Sequence, residues 1–175
     1  VGLMSIFTDE YSFKNFVVGD SNYFAYASAL GIVKEPGIVY NPLFIYGETG
    51  TGKTHMMNAI GLSIKEKNPD MNILYLTAVQ FVKETIAAIR NGYIEEMYKK
   101  YGEIDVLLID DIQYIAGREA TQEEFFRIFN LLYSNKKQIV LASSIEPWRM
   151  HNLEGWIYSR FVRGLVVEIE SPDKK

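Results

Sequence analysis

A glycine-rich run with one lysine and two nearby hydroxyls is the segment whose residue types could most directly do chemistry. Residues 47–54 read GETGTGKT, which is glycine, four residues, then glycine, lysine and threonine. The glycines let successive backbone N–H groups face one point, and the helix that follows adds its positive end. In this pattern Lys53 reaches the terminal phosphates and the Thr54 hydroxyl binds magnesium. The run therefore predicts a site for a nucleoside triphosphate, most simply ATP with Mg²⁺.

The expected nucleotide contacts are the loop itself and the start of the following helix. His55 comes directly after the magnesium threonine. An imidazole there could do acid–base chemistry, but its place just inside the helix favours a structural role. The predicted contacts are Gly47, Thr49, Gly50, Thr51, Gly52, Lys53, Thr54 and His55.

Two adjacent carboxylates follow an apolar run later in the chain. Residues 106–111 read VLLIDD, a buried strand that ends in Asp110 and Asp111. Magnesium-dependent phosphoryl transfer uses one carboxylate to hold the ion and a second to orient the attacking water. Paired aspartates also occur as caps or turn residues, but a phosphate loop one strand earlier favours the catalytic interpretation. We assign Asp110 to the metal and Asp111 to the water.

Two further polar positions are candidates for contacts with the terminal phosphate. Ser144 follows an apolar run, where a serine can contact the γ-phosphate or can simply begin a turn; the sequence favours neither. Arg160 ends a short predicted helix, and its planar charge suits a transferring phosphoryl group. A single arginine is more often a surface residue, so its catalytic role depends on the resemblance described below.

The elements that must position these residues are read from alternating short apolar runs and longer amphipathic stretches. This alternation predicts an α/β fold of three layers, with a five-stranded parallel sheet between helices, as in P-loop NTPases. Ligands of such sheets lie beyond the carboxyl ends of the strands. We take residues 1–10 as a tail and 11–175 as one nucleotide-binding domain. The predicted strands are 42–46, 72–76, 105–109, 139–142 and 165–169.

Helix boundaries are predicted from caps and glycines. Thr77 with Gln80 forms a capping-box pattern, and Gly92 ends the helix that follows. Thr121 with Glu124 forms a second such pattern before another amphipathic helix. Residues 53–65 and 93–101 are predicted as two more helices.

Bulk composition limits the possible functions. The chain has 175 residues, a formal charge of −4, a pI of about 5.3 and no cysteine. A domain that held duplex DNA by charge alone would be basic, so DNA contact must come from a local patch. No apolar run approaches the roughly 20 residues of a membrane helix. We therefore expect a cytoplasmic protein without a membrane span.

Several stretches resemble the bacterial chromosomal replication initiators of the DnaA family, within the AAA+ ATPases. The segment before the phosphate loop is specific to the initiators, whereas the loop itself is widely shared. Together the stretches cover nearly the whole chain from residue 11 onward. They are YSFKNFVVG at 11–19, YNPLFIYG at 40–47, GKTH at 52–55, residues 105–113, QEEFF at 122–126, FN at 129–130 and SRF at 159–161.

The resemblance implies the AAA+ base subdomain with sheet order 5-1-4-3-2 and an ATP-dependent filament that opens the replication origin. It implies that Arg160 is an arginine finger acting on ATP held by the neighbouring subunit. It places an extra helix pair at about residues 79–101, which helps the filament hold single-stranded DNA. By composition alone Ile86 would be a core residue. The implied adenine contacts are Val17, Val18 and Gly19, and the implied DNA contacts are Ile86, Arg118 and Thr121.

The chain departs from the family pattern at three places. Ser144 stands where the family usually has aspartate, Gly155-Trp156 where it has an Asp-Arg pair, and Ala120 where a basic residue contacts single strands. We expect the serine to affect ATP hydrolysis, the Gly-Trp pair to affect packing between subunits, and the alanine to weaken binding of single-stranded DNA. The family also continues into a helical lid and a helix-turn-helix domain, and we expect a fragment or a shortened relative without them.

Three functions remain open on this sequence. The first is a slowly hydrolysing ATP switch of replication initiation, which would assemble with ATP on origin DNA. The second is a regulatory nucleotide-binding module that does not hydrolyse ATP. The third is a helicase loader of the related AAA+ branch, which would bind the replicative helicase without opening an origin.

Overall fold

The computed structural model describes residues 7–170. The first six residues of the predicted tail and residues 171–175 of the predicted domain lie outside this range. The described chain contains one five-stranded sheet of parallel strands in the order β2-β3-β4-β1-β5. Read from the other edge, this is the predicted order 5-1-4-3-2, so the fold prediction is confirmed. The strands are β1 (Leu43–Tyr46), β2 (Ile73–Thr77), β3 (Val106–Asp110), β4 (Gln138–Ser143) and β5 (Leu165–Glu168).

Six α-helices connect and cover these strands in the described part of the chain. Short 3₁₀ turns lie at Asp9–Tyr11, Phe13–Asn15, Ile112–Ile115 and Pro147–Arg149. The helices are α1 (Tyr23–Lys34), α2 (Lys53–Lys67), α3 (Ala78–Asn91), α4 (Ile94–Gly102), α5 (Glu119–Ser134) and α6 (Gly155–Phe161).

The core forms two apolar layers, one on each face of the sheet. Side chains alternate along a strand, so Leu107 and Ile109 pack among α3 to α6, whereas Val106 and Leu108 pack beneath α1 and α2. Each of these four side chains is at most 1% exposed. Burial on both faces explains why the strands read as continuous apolar runs rather than as alternating ones.

One of the two predicted capping boxes is present. The Thr77 hydroxyl accepts a hydrogen bond from the Gln80 N–H, and the Gln80 side chain accepts one from the Thr77 N–H. The prediction at Thr121 is wrong, because α5 begins at Glu119 and both Thr121 and Glu124 lie buried inside it. Here the helix start is fixed by tertiary contacts rather than by a local cap.

The N-terminal part contains a helix that the sequence reading did not assign. α1 is apolar around most of its circumference, so it has a weak amphipathic pattern, and Ala25, Ala29 and Ile32 are buried against α2 and the sheet. Upstream of it, Asn58 of α2 exchanges two hydrogen bonds with the backbone of Thr8. The described residues of the predicted tail therefore pack on the domain.

Candidate nucleotide site

The phosphate loop connects β1 to α2 and curls at the carboxyl end of the sheet. Gly52 has φ of +103°, which a residue with a side chain rarely adopts. At Gly47 an added Cβ would lie 2.2 Å from the backbone oxygen of Ile169, so no larger residue fits without displacing the chain after β5. Thr51 closes the turn by donating its hydroxyl to the Glu48 carbonyl at 2.8 Å. Thr49 and Gly50 lie at the exposed tip.

Lys53 is the first residue of α2 and is only 7% exposed. Its ammonium group donates hydrogen bonds to the backbone oxygens of Gly47 and, at 2.7 Å, Glu48. Burial lowers the pKa of Lys53, while the charges of Asp110 and Asp111 oppose that change. The loop thus holds a cation at its centre with neutral carbonyl partners, which phosphate oxygens can replace.

The predicted magnesium residues are in direct contact. The Thr54 hydroxyl donates a hydrogen bond of 2.7 Å to Oδ2 of Asp110, which is 4% exposed. The Tyr75 hydroxyl donates to the same oxygen at 2.9 Å. Burial, followed by the Asp110 charge, raises the pKa of Tyr75, so its hydroxyl stays protonated. Sequence reasoning missed Tyr75, although a tyrosine in an apolar strand that neighbours β3 in the predicted sheet order was a usable signal.

Asp111 lies immediately beyond β3 in a left-handed backbone conformation, with φ of +56°. Such a conformation is uncommon for a residue other than glycine and often marks a functional position. Burial raises the pKa of Asp111, the neighbouring Asp110 adds to this, and the Gln113 side chain and Lys53 lower it. A carboxylate with a raised pKa is a better proton acceptor than an ordinary one.

A cavity of about 390 Å³ lies between the phosphate loop and the segment before α1. It is lined by Val17 and Gly19 on one side and by residues 50–52 and His55 on the other. Val18 is 42% exposed and does not line this cavity.

Asn22 holds the segment that carries these three residues, and sequence reasoning missed it. Its side-chain oxygen accepts from the Gly19 N–H at 2.9 Å, and its amide donates to the Val17 carbonyl at 2.9 Å. The side chain is 9% exposed. The contacts are local, but they match none of the motifs by which the site was read from the sequence.

His55 connects α2 to the N-terminal segment. Its Nε2 lies 2.8 Å from the Ser12 carbonyl oxygen, and its ring packs at 5.1 Å between centroids against Phe16 and at 5.3 Å against Tyr11. These contacts agree with the structural role favoured for His55. They also place the histidine at the wall of the cavity.

The two serines after β4 have separate positions. The Ser143 hydroxyl is fully buried and exchanges hydrogen bonds with the backbone of Ile145, so it forms the turn. Ser144 lines a cleft together with Gly47 and Glu48. This location beside the phosphate loop is compatible with contact to a terminal phosphate, and that role stays a prediction.

Arg160 lies away from the phosphate loop of its own chain. It borders an open cleft of about 1190 Å³ with residues 40–41, Lys136 and Leu165, which lie at the amino ends of β1, β4 and β5. The phosphate loop follows the opposite, carboxyl end of β1. A strand of four residues spans roughly 13 Å, so the two groups are at opposite edges of the sheet.

The three residues predicted to contact DNA differ in exposure. Ile86 is 41% exposed on α3, so the alternative that composition suggested, a core residue, is wrong. Arg118 is exposed and stacks over the Tyr114 ring at 4.3 Å. Thr121 is 3% exposed, so contact with DNA would require this turn to rearrange.

The donor set at Thr54 and Asp110 suits a hard cation such as Mg²⁺. Among residues 7–170 no cluster of three or more histidine or acidic side chains could hold a metal. Magnesium in nucleotide enzymes takes one or two protein oxygens and completes its shell with phosphate oxygens and water. A hydroxyl and a buried carboxylate 2.7 Å apart fit that requirement.

The fold and the site together define the class. A parallel sheet of this order, with a phosphate loop after β1 and a carboxylate pair after β3, is that of a P-loop NTPase. The model of the Bacterial DnaA ATPase domain family matches residues 7–168. The chain belongs to this family. No helix in the described residues has the length and apolar character needed to span a membrane.

Individual relatives agree with this assignment. The replication initiator DnaA of Thermodesulfovibrio yellowstonii is 48% identical over 164 residues, which are 94% of this chain and 37% of the relative. The crystal structure of domain III of Thermotoga maritima DnaA has a TM-score of 0.93 at 41% identity and covers 97% of this chain and 70% of that one. A DnaA bound to AMPPCP and single-stranded DNA has a TM-score of 0.92 at 39% identity, covering 97% and 53%.

The matched region is a part of the longer relatives. The chain spans about a third of the length of the curated DnaA proteins that it matches. A solved DnaI structure has a TM-score of 0.75 at 22% identity over 91% of this chain and 89% of its own, a likeness that shows a shared fold alone.

Proposed function

We propose that this chain is the ATP-binding and slowly hydrolysing switch domain of a replication initiator. ATP with Mg²⁺ would promote assembly of successive copies on origin DNA in the cytoplasm, with contacts to single-stranded DNA. The proposal is supported by the Lys53, Thr54 and Asp110 constellation and by the family assignment. A relative with 39% identity was solved with AMPPCP and single-stranded DNA.

The chain's own residues suggest how the site would work. Lys53 would exchange its two loop carbonyls for phosphate oxygens, which satisfy a buried cation better than neutral groups do. Thr54 and Asp110 would hold the hydrated magnesium ion, which neutralises charge on the phosphates. Asp111 would orient the attacking water and accept its proton, and its raised pKa suits that task. The cavity beside Val17 and Gly19 would take the adenosine end.

The position of Arg160 is the observation that carries the assembly part of the proposal. Arg160 lies at the amino edge of the sheet and the phosphate loop lies at the carboxyl edge. An arginine at this end of the sheet can contact only ATP that is bound to another copy of the chain. This favours a head-to-tail assembly. In such an assembly one copy would bind each ATP, and Arg160 of the next copy would complete the site.

The experiment is sedimentation of the protein with a single-stranded oligonucleotide, in the presence of Mg·ATP or Mg·ADP. We expect large assemblies with ATP, and their loss in Arg160→Ala while ATP affinity stays unchanged. Lys67→Ala is the control, because Lys67 is an exposed cation at the end of α2 that lies away from the phosphate loop. Normal assembly of Arg160→Ala would contradict the proposal.

A second candidate function is a regulatory module that binds ATP without hydrolysing it. Ser144 favours it, because a hydroxyl cannot take the charge-based role of the usual aspartate. Radiolabelled ATP separates the two functions. Tight binding without phosphate release, at protein concentrations where assemblies form, would support the regulatory module and contradict the hydrolysing switch.

A further inference from the structure

Two neutral side chains of α5 hold the Arg160 guanidinium in place. Asn130 Oδ1 accepts a hydrogen bond from Arg160 Nε at 3.2 Å. The Phe126 ring lies under the guanidinium, with the central carbon 4.7 Å from the ring centroid. Positions 126 and 130 are four residues apart, so both side chains emerge from the same face of the helix. One contact fixes the inner edge of the guanidinium and the other fixes its plane.

The aromatic support is itself backed by another ring. Trp156 meets Phe126 nearly edge-on, with centroids 4.9 Å apart and an interplanar angle of 72°. Trp156 occupies one of the positions at which this chain departs from the family pattern. Its indole limits the movement of the ring on which Arg160 rests.

These contacts leave the positive charge without an acidic partner. Among residues 7–170 no carboxylate forms an ion pair with Arg160, and its Nη2 makes no hydrogen bond; Nη1 donates only to Ser159 Oγ, at 3.2 Å. Arg127, on α5, shows the opposite arrangement, because it pairs with both Glu95 and Glu124. The terminal nitrogens of the Arg160 guanidinium are thus free to bind an anion from outside the chain.

We propose that Asn130 is a positioning residue for Arg160. Its carboxamide sets the angle of the guanidinium, so that the terminal nitrogens face the γ-phosphate of ATP bound to a neighbouring copy. The arginine side chain then loses little conformational entropy on contact. An asparagine suits this task because it offers an acceptor without the negative charge that would neutralise the arginine. The inference rests on the proposed function, in which Arg160 acts on ATP bound to the next subunit.

A mixing experiment isolates this role, because it separates the copy that holds ATP from the copy that supplies the arginine. Lys53→Ala copies lack the phosphate-binding lysine but keep Arg160, and Arg160→Ala copies have the reverse defect. Phosphate release should be low for either variant alone and should recover when the two are mixed. Asn130→Ala is then added to one kind of copy at a time.

We expect Asn130→Ala in the arginine-supplying copy to reduce the recovered rate about tenfold, the effect of losing one hydrogen bond to a charged group. The same substitution in the ATP-holding copy should leave the recovered rate unchanged. Asn130→Asp in the supplying copy should be at least as damaging, because the added carboxylate pairs with Arg160. Asn135→Ala is the matched control, since Asn135 caps the end of the same helix through the Leu131 carbonyl.

The outcomes distinguish the role of Asn130 from the action of Arg160 on a neighbouring copy. Recovery in the mixture with equal losses from Asn130→Ala in either copy would show a merely structural asparagine and overturn the inference alone. Full recovery with Asn130→Ala in the supplying copy would overturn it as well. No recovery in the parent mixture would overturn both the inference and the proposed action of Arg160 on a neighbour.

Discussion

The Thr54 hydroxyl donates a hydrogen bond of 2.7 Å to Oδ2 of Asp110, across 56 positions of sequence. This contact connects the start of α2 to the end of β3. It exists because β1 and β3 are both parallel strands of one sheet, whose carboxyl ends lie on the same edge. The two groups expected to hold magnesium are therefore adjacent in the folded chain.

Tyr75→Phe tests whether the second donor to Asp110 Oδ2 orients this carboxylate. The substitution removes only a hydroxyl, so the fold should persist, but Asp110 Oδ2 loses a partner at 2.9 Å. We expect the affinity for ATP with magnesium to fall severalfold, and the affinity measured in excess EDTA to change little. Calorimetric titration gives both values. Tyr98→Phe, on α4, is the control, and an equal loss with and without magnesium would argue against an orienting role.

Asp111→Asn should separate stability from catalysis. The pKa of Asp111 is raised in the folded protein, so protonation of this carboxyl group stabilises the fold. The stabilisation is fully present below the pKa of the unfolded chain and is lost as the pH rises through the pKa of the folded protein. Asparagine removes the repulsion from Asp110 and tolerates the left-handed backbone. We expect a gain of about 0.5 kcal/mol near neutral pH, discounted for solvent exposure, that disappears in acid, together with at least about 100-fold slower hydrolysis.

Thermal unfolding as a function of pH checks the stability part of that prediction, and single-turnover phosphate release checks the catalytic part. A variant that is less stable than wild type at neutral pH would contradict the electrostatic argument. A variant that hydrolyses ATP at the wild-type rate would remove Asp111 from the mechanism.

Gly47→Ala tests the close approach of the phosphate loop to the chain after β5. The added methyl group would meet the Ile169 carbonyl oxygen at 2.2 Å, so the loop or β5 must shift. We expect a loss of about 1–3 kcal/mol in the free energy of unfolding, together with impaired nucleotide binding. Gly155→Ala is the control, since no atom lies within 4 Å of its added Cβ. Similar melting temperatures for the two variants would contradict the packing argument.

Ile86→Ala tests the predicted contact with single-stranded DNA. Ile86 is 41% exposed, so its truncation should change the free energy of unfolding by less than about 0.5 kcal/mol. We expect ATP binding to be retained and assembly on a single-stranded oligonucleotide to weaken. Leu30→Ala is matched in exposure, at 41%, and lies on α1. If both variants bind the oligonucleotide as wild type does, Ile86 is no DNA contact.

Much of this structure could be predicted because its signals are local. The glycine run, the apolar strands and the Thr77 cap are each specified by a pattern of residue types within a few positions. The start of α5 could not be predicted in this way. Thr121 has the composition of a cap, but the Gln122 side chain donates hydrogen bonds to the backbone oxygens of Ile115 and Asn152 and so anchors the first turn.

The site shows the same division. Lys53, Thr54 and the aspartates follow from motifs. Tyr75 acts through a contact between strands that only the fold creates, and Asn22 acts through local backbone contacts that match no sequence motif. Ile86 is instructive, because an isoleucine on an amphipathic helix has the composition of a core residue and yet lies at the surface. Composition cannot distinguish an apolar side chain kept for packing from one kept for a partner.

The phosphate loop and Lys53 form the proposed binding site for a triphosphate. Calorimetric titration of Mg·ATP into wild type and Lys53→Ala tests it most directly, with Lys67→Ala, at the exposed far end of the same helix, as the control. We expect one binding event per chain in wild type and in the control, and affinity at least about 100-fold weaker in Lys53→Ala. No heat with folded wild type, or equal affinity in wild type and Lys53→Ala, would contradict it.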